Sequence, residues 1–126
     1  MSRLVTAIIV FSLIIVGSTA SVIYVSHTEK QLQTHLDEIV EAVSNDDMKL
    51  AEKLSEDFVK EWEDTEPLFI MLIRHHSVDE ITKYTSRLTS HCKYGKNGDL
   101  LAEVNMIKTI LKHMSDDEKP SLHNFF

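Results

Sequence analysis

The chain has 126 residues, which fits one domain, and 43% of them are apolar, an ordinary share for a protein with a core. Its net charge of −7 argues against a nucleic-acid binder, whose target demands basic surface, and equally against docking on anionic lipid head groups. With only three Gly and two Pro the composition suits an all-helical chain, and the single cysteine, Cys92, leaves no internal disulfide or paired-cysteine metal site.

The first predicted element is LVTAIIVFSLIIVGSTASVIYV, Leu4 to Val25, which carries no charge. As a helix it reaches about 33 Å, enough to cross a hydrocarbon core of roughly 30 Å. Its hydroxyls, on Thr6, Ser12, Ser18, Thr19 and Ser21, can return to the helix backbone. Arg3 precedes the run, while Glu29 and Lys30 follow it and cancel. The positive-inside rule then puts the N-terminus in the cytoplasm and the rest outside a cell membrane crossed once. The alternative is a secreted domain, cleaved near Ala20 at the small-x-small stretch Ser18-Thr19-Ala20. Gly17 and Ser21 have the spacing of a small-residue helix contact, a pairing common by chance. The division is therefore 1–26 for a signal anchor and 27–126 for an extracytoplasmic domain.

Leu32, Leu36, Ile39, Val40 and Val43 continue at three- and four-residue intervals, with no breaker after the apolar run. One long helix is expected to leave the bilayer and end near Ser44. Ser44-Asn45-Asp46-Asp47 is a cap cluster that opens the next helix, whose stripe is Ala51, Leu54, Phe58 and Trp62. Trp62 on that stripe reads as a core anchor. Pro67 is expected to bend or restart this helix, with Thr65 as the new cap. The unbroken apolar run Leu68 to Ile73 would then sit at the centre of the core.

His75 and His76 fall at the following joint, because Ser77 and Glu80 have the spacing of a capping box. Val78, Ile81, Tyr84, Thr85, Leu88 and Cys92 make the next stripe, closed by Gly95-Lys96-Asn97-Gly98-Asp99, where two glycines supply a helix stop and tight turn. Leu100, Leu101, Val104, Ile107, Leu111 and Met114 form the last stripe, and Ser115 to Glu118 would cap a short final turn before Pro120. The terminal Leu122 and Phe126 are expected to fold back on the bundle. NDDMKLAEKL and KNGDLLAEVNMI, aligned with one gap on their Ala-Glu pairs, echo each other as tetratricopeptide-like helical hairpins would.

The expected fold is thus all-α: a transmembrane helix followed by a small antiparallel helical bundle. No nucleophile elbow, His-Glu-x-x-His or Gly-rich nucleotide loop appears, and the seven histidines are scattered. We therefore expect no enzyme and no cofactor, but an interaction module for a membrane or envelope protein. Between Glu41 and Glu66 ten acids face three bases, and Glu52, Glu56 and Glu63 are candidate contacts together with Phe125 and Phe126. The alternative is a ligand- or metal-sensing domain using His75, His76 and Asp79, which have one-turn ligand spacing only if a helix runs through the joint.

The anchor Leu4 to Val25, DDMKLAEKLSEDFVKEWED with Trp62, LFIMLIRHHSVDEI, Arg87-Leu88 and the ending SLHNFF together carry a likeness. Over nearly its full length the chain resembles the bacterial family known as domain of unknown function 4363. That resemblance implies an N-terminal anchor, an all-helical exported domain and a Gram-positive-type envelope. It favours Ser77 and Ile81 as shared positions over a ligand set, and it supplies no catalytic residues.

Overall fold

In the computed structural model the backbone is described for residues 2–73 and 75–125, and the side chains for 2–73 and 76–114. Helix α1 (Ser2–Ser44) is unbroken, and α2 (Met48–Leu72), α3 (His75–Lys93) and α4 (Asn97–Phe125) follow it. No strand occurs among the described residues. Each helix packs on its neighbours in sequence, and α4 returns to pack on α1, so the second half of α1 and the other three helices form a closed antiparallel ring. The first half of α1 projects from that ring: an apolar stretch long enough to cross a membrane, with 6% of its residues buried.

The bundle core is the set of stripes meeting on one axis. Leu32, Leu36 and Ile39 from α1 meet Ala51, Phe58, Trp62 and Phe69 from α2. Val78, Ile81, Leu88 and Cys92 from α3 and Leu100, Val104, Ile107, Leu111 and Met114 from α4 complete it. Each fully buried Leu, Ile or Phe contributes roughly 1.5–3 kcal/mol relative to exposure. The core also admits Thr28, Ser55, Thr65 and Thr85, all buried.

The two hairpins are register-matched. Buried Leu32, Leu36 and Ile39 of α1 correspond at a constant offset to Ile81, Thr85 and Leu88 of α3. With no gap, Ala51, Ser55, Phe58, Trp62 and Thr65 of α2 correspond to Leu100, Val104, Ile107, Leu111 and Met114 of α4. The expected echo is real, but its register differs: Ala51 matches Leu100 rather than the alanine of the second Ala-Glu pair.

The matching extends to the turns. After α1, the Asp47 amide donates to the Ala42 carbonyl (2.9 Å) and the Asp46 amide to Val43 (3.0 Å). After α3, Lys96 donates to His91 (2.8 Å) and Gly95 to Cys92 (3.3 Å). Both are the paired C-terminal bonds of a Schellman motif, which needs a left-handed residue. Asp46 takes that role at φ +60° and Gly95 at φ +67°. Asp47 then caps α2, accepting from the Leu50 amide at 3.2 Å. Gly98, expected to share the tight turn, lies instead in the first turn of α4 and is not left-handed.

Four other expectations are corrected. Helix α2 does not restart at Pro67 but runs through it, and the Thr65 hydroxyl donates back to the Glu61 carbonyl (2.8 Å) instead of capping a new helix. Trp62, Thr65 and Phe69 form one buried stripe across the exposed proline. Burial of Trp62 and Phe69 outweighs a lost backbone bond and ring clash costing about 3 kcal/mol. The run Leu68 to Ile73 is not enclosed: Phe69 is fully buried, but Leu68 is 40% and Met71 80% exposed. In a four-membered ring each helix has one inward face, so a continuous apolar run must leave some side chains outside.

Helix α3 begins at His75, so Ser77 is inside the helix rather than at its cap. Helix α4 continues through Pro120 to Phe125, without the separate turn expected at Ser115 to Glu118. The side chains of Leu122, Phe125 and Phe126 lie outside the described residues.

Candidate functional site

The acidic face on α2 is present. Glu52, Glu56 and Glu63 recur at intervals of four and seven, which places them on one helical stripe. Glu56 and Glu63 are exposed and Glu52 is half-buried. Among the described residues none of the three is in an ion pair, although Lys53 and Lys60 share the helix.

A second acidic surface, which the sequence pattern did not single out, lies in the groove between α1 and α2. A cleft of about 230 Å³ is lined by His35, Glu38, Leu54, Asp57, Phe58 and Glu61. An adjoining hollow carries Glu38, Glu41 and Asp47 toward the turn. His35 Nδ1 pairs with Glu61 across the groove, tying α1 to α2. The cleft falls below the roughly 300–1,000 Å³ of small-molecule pockets. Its signal was in the sequence only as Glu38 and Glu41 beside the α1 stripe, visible once α2 is laid against them.

The histidine joint resolves differently. His76 Nε2 lies 3.1 Å from Glu80 Oε1, one turn along α3, and the His76 side chain is 86% exposed. Asp79 is exposed, and the His75 side chain lies outside the described residues. Among the described residues no group of three or more His, Cys, Asp and Glu side chains gathers at metal-binding distances.

Two partly buried polar clusters bridge neighbouring helices. Trp62 Nε1–H donates to Thr82 Oγ1 (2.9 Å), which in turn donates to Glu66 Oε2 (2.7 Å). A hydroxyl has one proton, so its 3.1 Å approach to the Val78 carbonyl is the competing bond, and the charged acceptor wins. Between α3 and α4, Glu103 Oε1 lies 3.3 Å from Arg87 and 3.5 Å from His91. Cys92 Sγ sits 3.5 Å from Ser55 Oγ. Burial pushes the Cys92 thiol pKa up, the nearby Glu52 and Glu56 charges add to this, and the Ser55 hydrogen bond opposes it. A buried, proton-holding thiol is a poor nucleophile, so Cys92 serves as a small core residue.

The side of α2 facing the projecting end of α1 was also missed. Tyr24 meets Phe69 edge-on with ring centroids 6.3 Å apart, and Phe69 meets Trp62 at 5.8 Å. The aromatic file brings Leu68 and Met71 level with the last turns of the apolar half of α1. The clue was the length of the run Leu68 to Ile73, longer than one inward face can bury.

No curated protein and no solved structure matches the chain. A family model does, over residues 19–125, from the end of the apolar run through the whole bundle. The chain therefore belongs to the family described as domain of unknown function (DUF4363).

Proposed function

We propose that this protein is a membrane-tethered docking module, an extracytoplasmic four-helix bundle that binds a basic surface on a neighbouring membrane or envelope protein without catalysing a reaction. The observation that carries the proposal is the continuity of α1: one helix of 43 residues supplies both the bare apolar half and a quarter of the bundle. A bundle so joined is held at a fixed height and orientation, which suits docking. The acidic surfaces give the partner its charge. Glu52, Glu56 and Glu63 on α2, and Glu38, Asp57 and Glu61 in the groove, select a partner rich in Lys or Arg. The envelope is of Gram-positive type on this proposal, with the N-terminus cytoplasmic and the tail, Phe125 and Phe126, available as a further contact.

The test is crosslinking and capture of the anchored protein from its own membranes, comparing the native chain with Glu52→Lys/Glu56→Lys/Glu63→Lys and with a chain truncated before Phe125. Loss of one specific partner in the charge-reversed chain supports the proposal. The same partners recovered from every variant would refute it.

A second reading, a metal sensor using His75, His76 and Asp79, has one observation in its favour: α3 starts at His75, so the one-turn spacing lies on a real helix. Calorimetry with Zn²⁺ separates the two. Heat that vanishes in His75→Ala/His76→Ala supports the sensor, and no heat removes it.

A further inference from the structure

We infer that the C-terminal end of α2 dips into the bilayer, with Leu68 and Met71 immersed among lipid at the boundary of head groups and acyl chains. The inference rests on the membrane reading of α1 given above.

The geometry sets the depth. Helix α2 runs antiparallel to α1, with Glu61 beside His35 and Phe69 beside Tyr24. Tyr24 is one residue from the end of the uncharged run Leu4 to Val25. Met71 lies two residues past Phe69, about 3 Å further toward the span, and Ile73 about 6 Å further. The tip therefore overlaps the outer turns of a segment reaching about 33 Å, the layer some 5–10 Å deep where amphipathic elements lodge.

The side chains agree with that level. Met71 is 80% and Leu68 40% exposed, three residues apart on one face of α2, and Ile23, next to Tyr24 on α1, is 63% exposed. Leu68 to Ile73 contains no charge, and Arg74 follows it directly in the sequence, as a basic residue does at the edge of an apolar segment. Tyr24, 37% exposed, occupies the height where aromatic rings collect at membrane boundaries. The opposite end of the bundle is built otherwise: its turns present exposed Asn45, Asp46, Asp47, Lys93, Lys96 and Asp99. Exposed Leu68 and Met71 on α2 beside the span, with His76 and Asp79 confined to the neighbouring start of α3, orient the α2 side of the bundle toward lipid.

The experiment uses the full chain in phosphatidylcholine vesicles, in a Cys92→Ala background whose helicity is checked by circular dichroism. Single nitroxide labels are placed at Met71→Cys, at Val10→Cys within the span, and at Tyr94→Cys at the far end. Collision rates are read with oxygen, which concentrates in lipid, and with a water-soluble nickel chelate. The inference expects Val10 and Met71 to show a several-fold higher oxygen-to-nickel ratio than Tyr94. A lipid-like Val10 with a water-like Met71 overturns the inference and leaves the membrane reading standing. A water-like Val10 overturns both. A Met71 label shielded from both reagents and broadened by a second spin assigns the patch to another copy of the chain, which also overturns the lipid assignment.

Discussion

Thr82→Val is the perturbation that tests the polar chain inside the bundle. Trp62 is 1% exposed, and its indole N–H has Thr82 Oγ1 as acceptor at 2.9 Å. Valine keeps the shape of threonine and removes the acceptor, so a buried donor is left without a partner. That costs about 1–3 kcal/mol. For a bundle of this size each kcal/mol shifts the melting temperature by about 4–8 °C. The expected fall is thus about 4–24 °C, followed by ellipticity at 222 nm with the full chain in a mild detergent. The control is Trp62→Phe, which removes the donor while Thr82 keeps its bond to Glu66 Oε2. In that background Thr82→Val loses only the half-buried bond to Glu66, which it loses in the native chain as well, so the cycle cancels that bond and leaves the Trp62–Thr82 pair. A coupling below about 0.5 kcal/mol in the double-mutant cycle would refute the reasoning, because independent sites add to within that margin.

Pro67→Ala restores an amide to the interior of α2 and should raise stability by about 2 kcal/mol, less the entropy proline removes from the unfolded chain; a thermal melt with no gain would show that the helix already compensates. Asp46→Gly should stabilise by about 0.5–1 kcal/mol, and Gly95→Ala should destabilise by a similar amount, because both positions have positive φ in matched turns. Denaturant melts of the two variants check the sign in each case. The raised Cys92 pKa favours the neutral thiol in the folded state, so the unfolded chain gives up its proton first as pH rises. Its stabilising contribution is complete below the ordinary thiol range and is lost as pH climbs toward the folded value. The native chain should therefore lose stability against Cys92→Ala in alkaline buffer, and parallel curves for the two would contradict the shift. At neutral pH the same thiol should resist iodoacetamide until the bundle unfolds.

Much of the fold was legible because helical periodicity writes inward faces directly into the chain. The stripes of α1, α3 and α4 were readable from spacing alone, as was the continuity of α1 to Ser44, since no breaker falls within it. What failed were the boundaries set by tertiary packing. Pro67 looked like a break because local chemistry says so, yet burial of residues on both sides holds the helix together. Ser77 looked like a cap, but the helix starts earlier, and the apparent capping box lies inside it. The run Leu68 to Ile73 looked like core because hydrophobicity alone does not say which of six consecutive apolar side chains face inward. The groove carboxylates Glu38 and Asp57 belong to different helices, and no one-dimensional pattern puts them side by side.

The uneven ends of the bundle bear on the fate of the apolar stretch, which serves as an anchor or as a signal sequence. Cleavage near Ala20 would leave the ring whole, since its first buried residue is Val25 and its first aromatic contact is made by Tyr24. The released domain would then carry exposed Ile23, Leu68 and Met71 at one end in water. Such a patch is unfavourable for a soluble monomer and favours association. With the stretch retained, the same side chains meet lipid, and the adjacent α1 helix already crosses it. On the inference drawn above, exposed Leu68 and Met71 favour the retained anchor. Those side chains belong to α2, and the Tyr24–Phe69 contact fixes their height against the apolar half of α1.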